Sequence, residues 1–296
     1  MEPHDEAARP AGDEENPDRL FSALWSPIGM AAVSAARLRP GARVLNAWCG
    51  TGAFAIPAAE QVGPLGVIDA VDMAEPLLER GRAKAALLGL ANVRFLRGDV
   101  LDWPAPRGGY DTVVCALDGP LVSDAAAATE RLLRLIRPGG RMTVTAWARD
   151  AFVPLTEVAQ AALAPERPGA VDAPPPGDPL RPLGTPQALR HWLAARSLSF
   201  IDVQYVPLVV PCDPELLRPL ADVVFGGLLD GLPTAAATRV RRRFSDRLLA
   251  EGRDVIDASV LVGTGTVPRV TLPRRPRGAR PLTTAGRPAG PVPQFG

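Results

Sequence analysis

The residues best placed for chemistry lie where strand-like segments give way to loops. Val44-Leu45-Asn46-Ala47 is a short apolar run, followed by Trp48-Cys49-Gly50-Thr51-Gly52 and then helix-like Phe54–Gln61. Glycines at a strand-to-helix turn let the backbone approach a ligand closely, and the helix start offers free N–H donors to an anionic group. Asp72 ends the next apolar run, twenty residues beyond Gly52. A carboxylate there can accept hydrogen bonds from both hydroxyls of a ribose. Asp99 follows a third run, Val93–Leu96, where it can accept from an adenine amino group. Together these point to a nucleoside-bearing ligand. Gly50-Thr51-Gly52-Ala53-Phe54-Ala55 also satisfies G-x-G-x-x-A, so the loop and Asp72 alone leave a nicotinamide cofactor open.

The elements that position these groups alternate in type. Strand-like Val44–Ala47, Val67–Val71, Val93–Leu96, Thr112–Leu117 and Arg141–Trp147 are separated by helix-like Phe54–Gln61, Pro76–Leu88 and Ala125–Ile136. That spacing predicts an α/β fold, a Rossmann-like doubly wound sheet covered on both faces. A helix from Leu20 to Leu38, interrupted at Pro27, precedes the first strand, and Pro138-Gly139-Gly140 is expected to turn the chain into the fifth. After Trp147 the pattern changes. Residues 151–164 are helix-like, 165–184 form a Pro/Gly-rich loop, and Thr185-Pro186 is a strong helix start leading into 187–196. Phe200–Val210 and Ala258–Val267 suit an antiparallel pair at the sheet edge, with helix-like 214–251 between them.

In their order and spacing, the glycine loop, Asp72, Asn92–Val100, Tyr110–Val114 and Arg137-Pro138-Gly139-Gly140-Arg141 resemble the class I S-adenosylmethionine (SAM)-dependent methyltransferases, across about residues 40–148. The resemblance implies a mostly parallel sheet with an antiparallel final strand, a helical lid insertion at about 151–252, and SAM as cofactor. It implies that Gly50, Thr51 and Gly52 line the methionine portion of SAM and that Asp72 holds the ribose. Met73 would pack beside the adenine, with Asp99 and Val100 on its far side. Two positions depart from the family pattern. Asn46 stands where an acid is usual, and Trp48 stands where the first glycine is usual.

Methyl transfer from a sulfonium needs a nucleophile in line with the S–CH3 bond, and much of the work is positioning and exclusion of water. No dedicated base stands out. Asp118 and Asp150 follow the fourth and fifth strands, on the edge where open α/β sheets bind ligands, and either can orient an acceptor. They lack the companion ligands a magnesium site needs, and no metal is expected. Phe21, Trp25 and Trp147 can wall an apolar acceptor pocket. A small-molecule acceptor, methylated on O, N or C, is the leading expectation. A non-catalytic binding or regulatory protein with a degenerate SAM loop (Asn46, Trp48) is the alternative, and an NAD(P)-dependent oxidoreductase a third.

Composition supports the small-molecule reading. The formal net charge of the 296-residue chain is +1, so no charge excess draws it to nucleic acid or to a membrane surface. Positive charge is almost all arginine, Lys84 being the exception. The three cysteines, Cys49, Cys115 and Cys212, have no metal-ligand spacing and read as small buried residues. The acidic N-terminus lacks the basic-then-apolar layout of a signal peptide, and the chain is expected to be cytoplasmic. Residues 1–18 and the Pro/Arg-rich 273–296 are expected to be disordered, flanking one domain over 19–272. The oligomeric state is not written in the sequence.

Overall fold

The computed structural model describes residues 17–115, 125–167, 181–225, 229, 231–252 and 255–269. The chain forms a seven-stranded sheet in the order β3-β2-β1-β4-β5-β9-β6. The first five strands are β1 (Arg43–Ala47), β2 (Val67–Asp72), β3 (Val93–Arg97), β4 (Tyr110–Cys115) and β5 (Ile136–Trp147), all mutually parallel. β9 (Val260–Thr266) runs antiparallel between β5 and β6 (Ser199–Val206), as the sequence predicted for the sheet edge. β1, flanked on both sides, is buried from Val44 to Ala47, which accounts for its unbroken apolar run.

Helices cover both faces. One side holds α2 (Ser26–Ala36), α3 (Ala55–Val62) and α4 (Glu75–Leu87), packed through Ile28, Ala32, Ala55, Ala58 and Leu78. The other holds α5 (Ala125–Leu133) and α7 (Pro186–Ala194), packed through Leu132, Leu189 and Leu193. Small residues on α2 and α3 let these helices lie close to the sheet. Thr185 caps α7 as its sequence predicted, its hydroxyl accepting from the Ala188 N–H at 3.2 Å, with Pro186 in the first turn.

Four expectations are corrected. The first helix does not break at Pro27. α1 (Pro17–Leu20) passes through a π-helical turn, Phe21–Trp25, and Pro27 then sits in the first turn of α2, where its missing N–H costs nothing. Pro17 and Asp18 therefore open a helix, whereas residues 1–16 and 270–296 lie outside the described residues. Pro138-Gly139-Gly140 is not a turn before the fifth strand but a bulge inside it. Tyr110 pairs with Ile136 and Thr112 with Arg141, so the extra residues loop out, with Gly139 at φ +80°. Finally, the 151–252 stretch is divided. α7 and β6 belong to the body of the sheet. α6 (Val153–Leu163), α8 (Pro214–Phe225) and α9 (Thr234–Ala250) pack on one another with α1 beside α8, next to a short antiparallel pair of β7 (Val209–Pro211) and β8 (Val255–Asp257).

This helical cap continues the core on the α2 side, through Leu155, Leu217, Phe225, Phe244 and Leu248. Phe225 and Phe244 meet edge to face at 5.2 Å. Ion pairs tie it down: Arg19 of α1 bonds Asp213 at 3.0 Å and also Glu215, while Arg239 and Arg243 of α9 clasp Glu166 beyond α6 at 2.9 and 3.0 Å. The hydrogen bonds from both guanidiniums hold the Glu166 carboxyl down at about 2, from an ordinary value of 4.5. A depressed carboxylate stabilises the fold above its unfolded pKa and loses that contribution as pH falls through the folded value. Cap stability is therefore expected to decline between about pH 4.5 and 2 in a Glu166-dependent manner. Acid unfolding followed by near-UV circular dichroism checks this: Glu166→Gln should flatten the slope across that window, and an unchanged slope would contradict it.

Candidate active site

The carboxyl edge of β1 and β2 is stitched together by one carboxylate. Asp72 Oδ2 accepts from the Gly50 N–H at 2.8 Å and Oδ1 from the Ala74 N–H at 2.9 Å. The Cys49 N–H donates to the Val71 carbonyl at 3.1 Å, and the Gly98 N–H to the Asp72 carbonyl at 3.0 Å. Asp72 thus ties the glycine loop, the end of β2 and the exit of β3 into one ledge. A carboxylate has about four acceptor positions, so two remain for ligand hydroxyls.

The glycines divide their work. Gly50 has φ +52°, and a Cβ built there would meet nothing within 4 Å, so the loop is open to a ligand at that point. Gly52 has φ +90°, but its missing Cβ faces inward, 2.7 Å from the Phe95 ring. Gly81 of α4 makes room for the same ring, where a Cβ would sit 2.3 Å from it. Phe95, on β3, is therefore a wedge under the loop, and the second glycine serves packing as well as backbone geometry. Gly29, which sequence reasoning missed, brings α2 against the loop: a Cβ there would lie 2.1 Å from the Ala53 carbonyl oxygen. A glycine interior to a helix, costing about 1 kcal/mol against alanine, was the available signal.

The two departures from the family pattern acquire structural roles. Trp48 takes φ +50°, the left-handed conformation a glycine would supply, and its half-buried indole packs against the core cluster containing Leu45, Ala47, Val71 and Val100. Left-handed backbone costs a residue with a Cβ about 1–2 kcal/mol, which the buried indole surface offsets. Trp48→Gly is expected to lower the melting temperature by a few degrees while leaving SAM affinity within about threefold of the parent. Calorimetry on both proteins checks this; affinity present only in Trp48→Gly would mean that the indole blocks the cofactor. Asn46, 1% exposed at the end of β1, has its Oδ1 buried with no partner among the described residues. An orphaned acceptor beside the loop suits the ammonium of an amino-acid ligand such as the methionine end of SAM.

Met73 stands 61% exposed beside Asp72, and Val100 is 1% exposed with Asp99 on the surface before it. Asp99 Oδ1 accepts from the Leu101 N–H at 2.8 Å, which leaves its second oxygen for a ligand. An exposed apolar Met73 on one side and a fixed carboxylate on the other fit a flat purine. The donor set and the openings at Gly50 and Met73 accordingly fit SAM. Thr51 lies in the loop turn, half-buried.

Of the aromatic residues picked from sequence, the structure joins two and separates one. Trp25 and Trp147 are 6.2 Å apart, and Phe152 extends the group, edge-on to Trp147 at 4.7 Å. Trp25 precedes Gly29 by one helical turn, so the helix face that meets the glycine loop carries it. Phe21 lies elsewhere, under the Lys84 ammonium at 3.5 Å. Asp150 is exposed in the turn between Trp147 and Phe152, and Asp118 falls outside the described residues.

Cys49, Cys115 and Tyr110 are buried. Burial, aided by Asp72, pushes the Cys49 thiol well above its ordinary value, and burial pushes Cys115 up to about 12. Neither is a nucleophile at neutral pH. Burial, together with its bond to Asp69, pushes Tyr110 up to about 12; its hydroxyl donates to Asp69 at 2.8 Å and accepts from Trp103 at 3.0 Å. That network, which Arg94 joins by bonding Asp69, braces β2, β3 and β4 below the site. Among the described residues no group of three or more His, Cys, Asp or Glu could hold a metal, and no helix is long and apolar enough to cross a membrane.

Comparison with known proteins gives consistent matches. A family model described as a methyltransferase domain matches residues 44–140. Nocamycin O-methyltransferase of Saccharothrix syringae is 33% identical over 216 residues, 69% of this chain and 73% of its own length. Aklanonic acid methyltransferase of a Streptomyces species is 32% identical over 128 residues, 43% of this chain and 58% of its own length. Among solved structures, the YcgJ protein of Bacillus subtilis superimposes with a TM-score of 0.53 at 19% identity, covering 82% of this chain and 98% of that one, a likeness of fold alone.

Proposed function

The chain belongs to the class I SAM-dependent methyltransferases, and from that membership we propose that it methylates an oxygen of a small, largely apolar acceptor held against Trp25, Trp147 and Phe152. The observation that carries the proposal is this aromatic group, set at the carboxyl end of β5, with Trp25 one helical turn before Gly29, which meets the glycine loop at Ala53. Oxygen as the acceptor atom draws support from the name of the Saccharothrix relative. Methyl transfer with SAM displaces the nicotinamide alternative, which rested on G-x-G-x-x-A and Asp72, and the non-catalytic one, which rested on Asn46 and Trp48.

SAM supplies an electrophilic methyl group on a sulfonium. The protein's own residues do the rest. Asp72 offers its remaining acceptor positions to ribose hydroxyls, Asp99 and Met73 bracket the adenine, and Asn46 Oδ1 accepts from the amino group. Gly50 keeps the backbone low enough for close approach. The aromatic rings exclude water and hold a flat acceptor face, so orientation provides most of the rate. Asp150 is the acid positioned next to that group in the chain, and it can orient the acceptor hydroxyl or take its proton.

The test uses purified protein, radiolabelled SAM and a panel of phenols, polyketide-like acids and amines. Label in a phenolic or enolic ether is the expected product, and Trp147→Ala should raise the acceptor KM at least about tenfold with SAM affinity unchanged. Label only in N-methyl products, or a Trp147→Ala enzyme with an unaltered acceptor KM, would contradict the proposal.

A further inference from the structure

The opposite edge of the sheet carries a second site of different chemistry. A groove of about 790 Å3 runs along the N-terminal ends of β1, β4, β5 and β6 and the end of β9. Five arginines line it: Arg37 and Arg39 from the segment after α2, Arg137 and Arg141 from β5, and Arg269 beyond β9. Among the described residues its one lining carboxylate, Asp111, is already engaged, accepting from Arg137 at 2.6 Å and from the Arg43 N–H at 2.8 Å. Among the described residues Arg37, Arg39 and Arg269 have no acidic partner. Burial and the nearby Arg37 and Arg39 lower the pKa of Arg141, with Asp202 opposing them, so these guanidiniums repel one another across a partly enclosed space.

Two residues at this groove hold left-handed backbone despite carrying a Cβ. Arg37 has φ +48° at the end of α2, and Phe200 has φ +51° with its ring 84% exposed. Such conformations persist where surrounding structure enforces them, and they concentrate at ligand sites. The Arg37 turn closes α2, the Phe200 turn falls where β6 shifts register against β9, and both side chains line the groove. Pro40, Phe200 and Pro268 add apolar surface to the groove's lining.

We propose that this groove is a binding site for a small, multiply charged phosphate ester, its phosphates held by Arg37, Arg39 and Arg141 and its organic part laid against Phe200. Guanidinium forks match phosphate oxygens in pairs, and clustered arginines bind a polyanion more strongly than a single charge. The volume is that of a small-molecule site. A net charge of +1 and the concave shape argue against a nucleic-acid strand. The site lies across the sheet from the SAM ledge, so one ligand does not exclude the other.

The test is calorimetric titration at about 0.15 M salt with two probes. Inorganic tripolyphosphate reports the arginines; ATP, titrated with the SAM ledge filled by S-adenosylhomocysteine, reports the ring as well. Saturable one-to-one binding of both is expected. Arg37→Gln/Arg39→Gln should weaken both at least about tenfold, as should Arg141→Gln, with S-adenosylhomocysteine affinity unchanged. Phe200→Ala should weaken ATP alone. The proposal is overturned if neither probe binds saturably at about 1 mM, if the arginine variants bind like the parent, or if heparin and single-stranded RNA bind while tripolyphosphate does not.

Discussion

Asp72→Ala is expected to weaken SAM binding at least about a hundredfold, the equivalent of about 2.8 kcal/mol at 1.4 kcal/mol per factor of ten. Hydrogen bonds to a charged acceptor contribute about 1.5–3 kcal/mol each. Asp72 makes two to the backbone, at Gly50 and Ala74, and has positions left for the ribose. Alanine removes the ligand contacts and releases the loop together, so affinity falls by more than one bond's worth. Asp72→Asn retains one acceptor oxygen and is expected to lose about tenfold. Titration of SAM into the three proteins measures the series. An Asp72→Ala protein that binds like the parent would remove Asp72 from the site.

Alanine at Gly50 and at Gly52 should fail in different ways. A Cβ at Gly52 collides with the Phe95 ring at 2.7 Å on a backbone at φ +90°, so overpacking of about 1–3 kcal/mol adds to about 1–2 kcal/mol of left-handed strain. Gly52→Ala is expected to lower the melting temperature by roughly 5–15 °C, and the smaller Phe95→Leu to restore part of that loss in the double variant. At Gly50 a Cβ meets only open space, so Gly50→Ala should cost a few degrees and instead reduce SAM affinity about tenfold or more. Thermal unfolding with and without SAM separates the two. Equal stability losses at both positions, or no rescue by Phe95→Leu, would contradict the division of labour between the glycines.

The path from sequence to structure was uneven for physical reasons. The placing of Asp72, Asp99 and the glycine loop at the strand ends was legible because it follows from local order: a strand end, then a loop, then a helix start. The antiparallel outer strands were legible from their β-rich composition. The wedge of Phe95 between Gly52 and Gly81 was not, because it joins three segments that only the folded sheet brings together. Gly29 was hidden for the same reason, its partner Ala53 lying across a helix–loop contact. Pro138-Gly139-Gly140 was misread because proline and glycine signal a departure from regular geometry without saying whether the strand resumes its pairing. Ile136 pairs with Tyr110 before the bulge and Arg141 with Thr112 after it, so the strand starts earlier than its apolar run. Trp48 is the converse case. Sequence marked it as out of place, and the backbone shows it adopting the turn conformation of the glycine it replaces.

The central claim is that the ledge built by Gly50, Asp72 and Asn46 holds SAM with Trp48 in place. Isothermal titration of the unaltered protein with SAM and S-adenosylhomocysteine tests it most directly. One saturable site per chain, with a dissociation constant in the range of about 1–100 μM, is the predicted result. No measurable heat with either ligand at high micromolar concentration would contradict it.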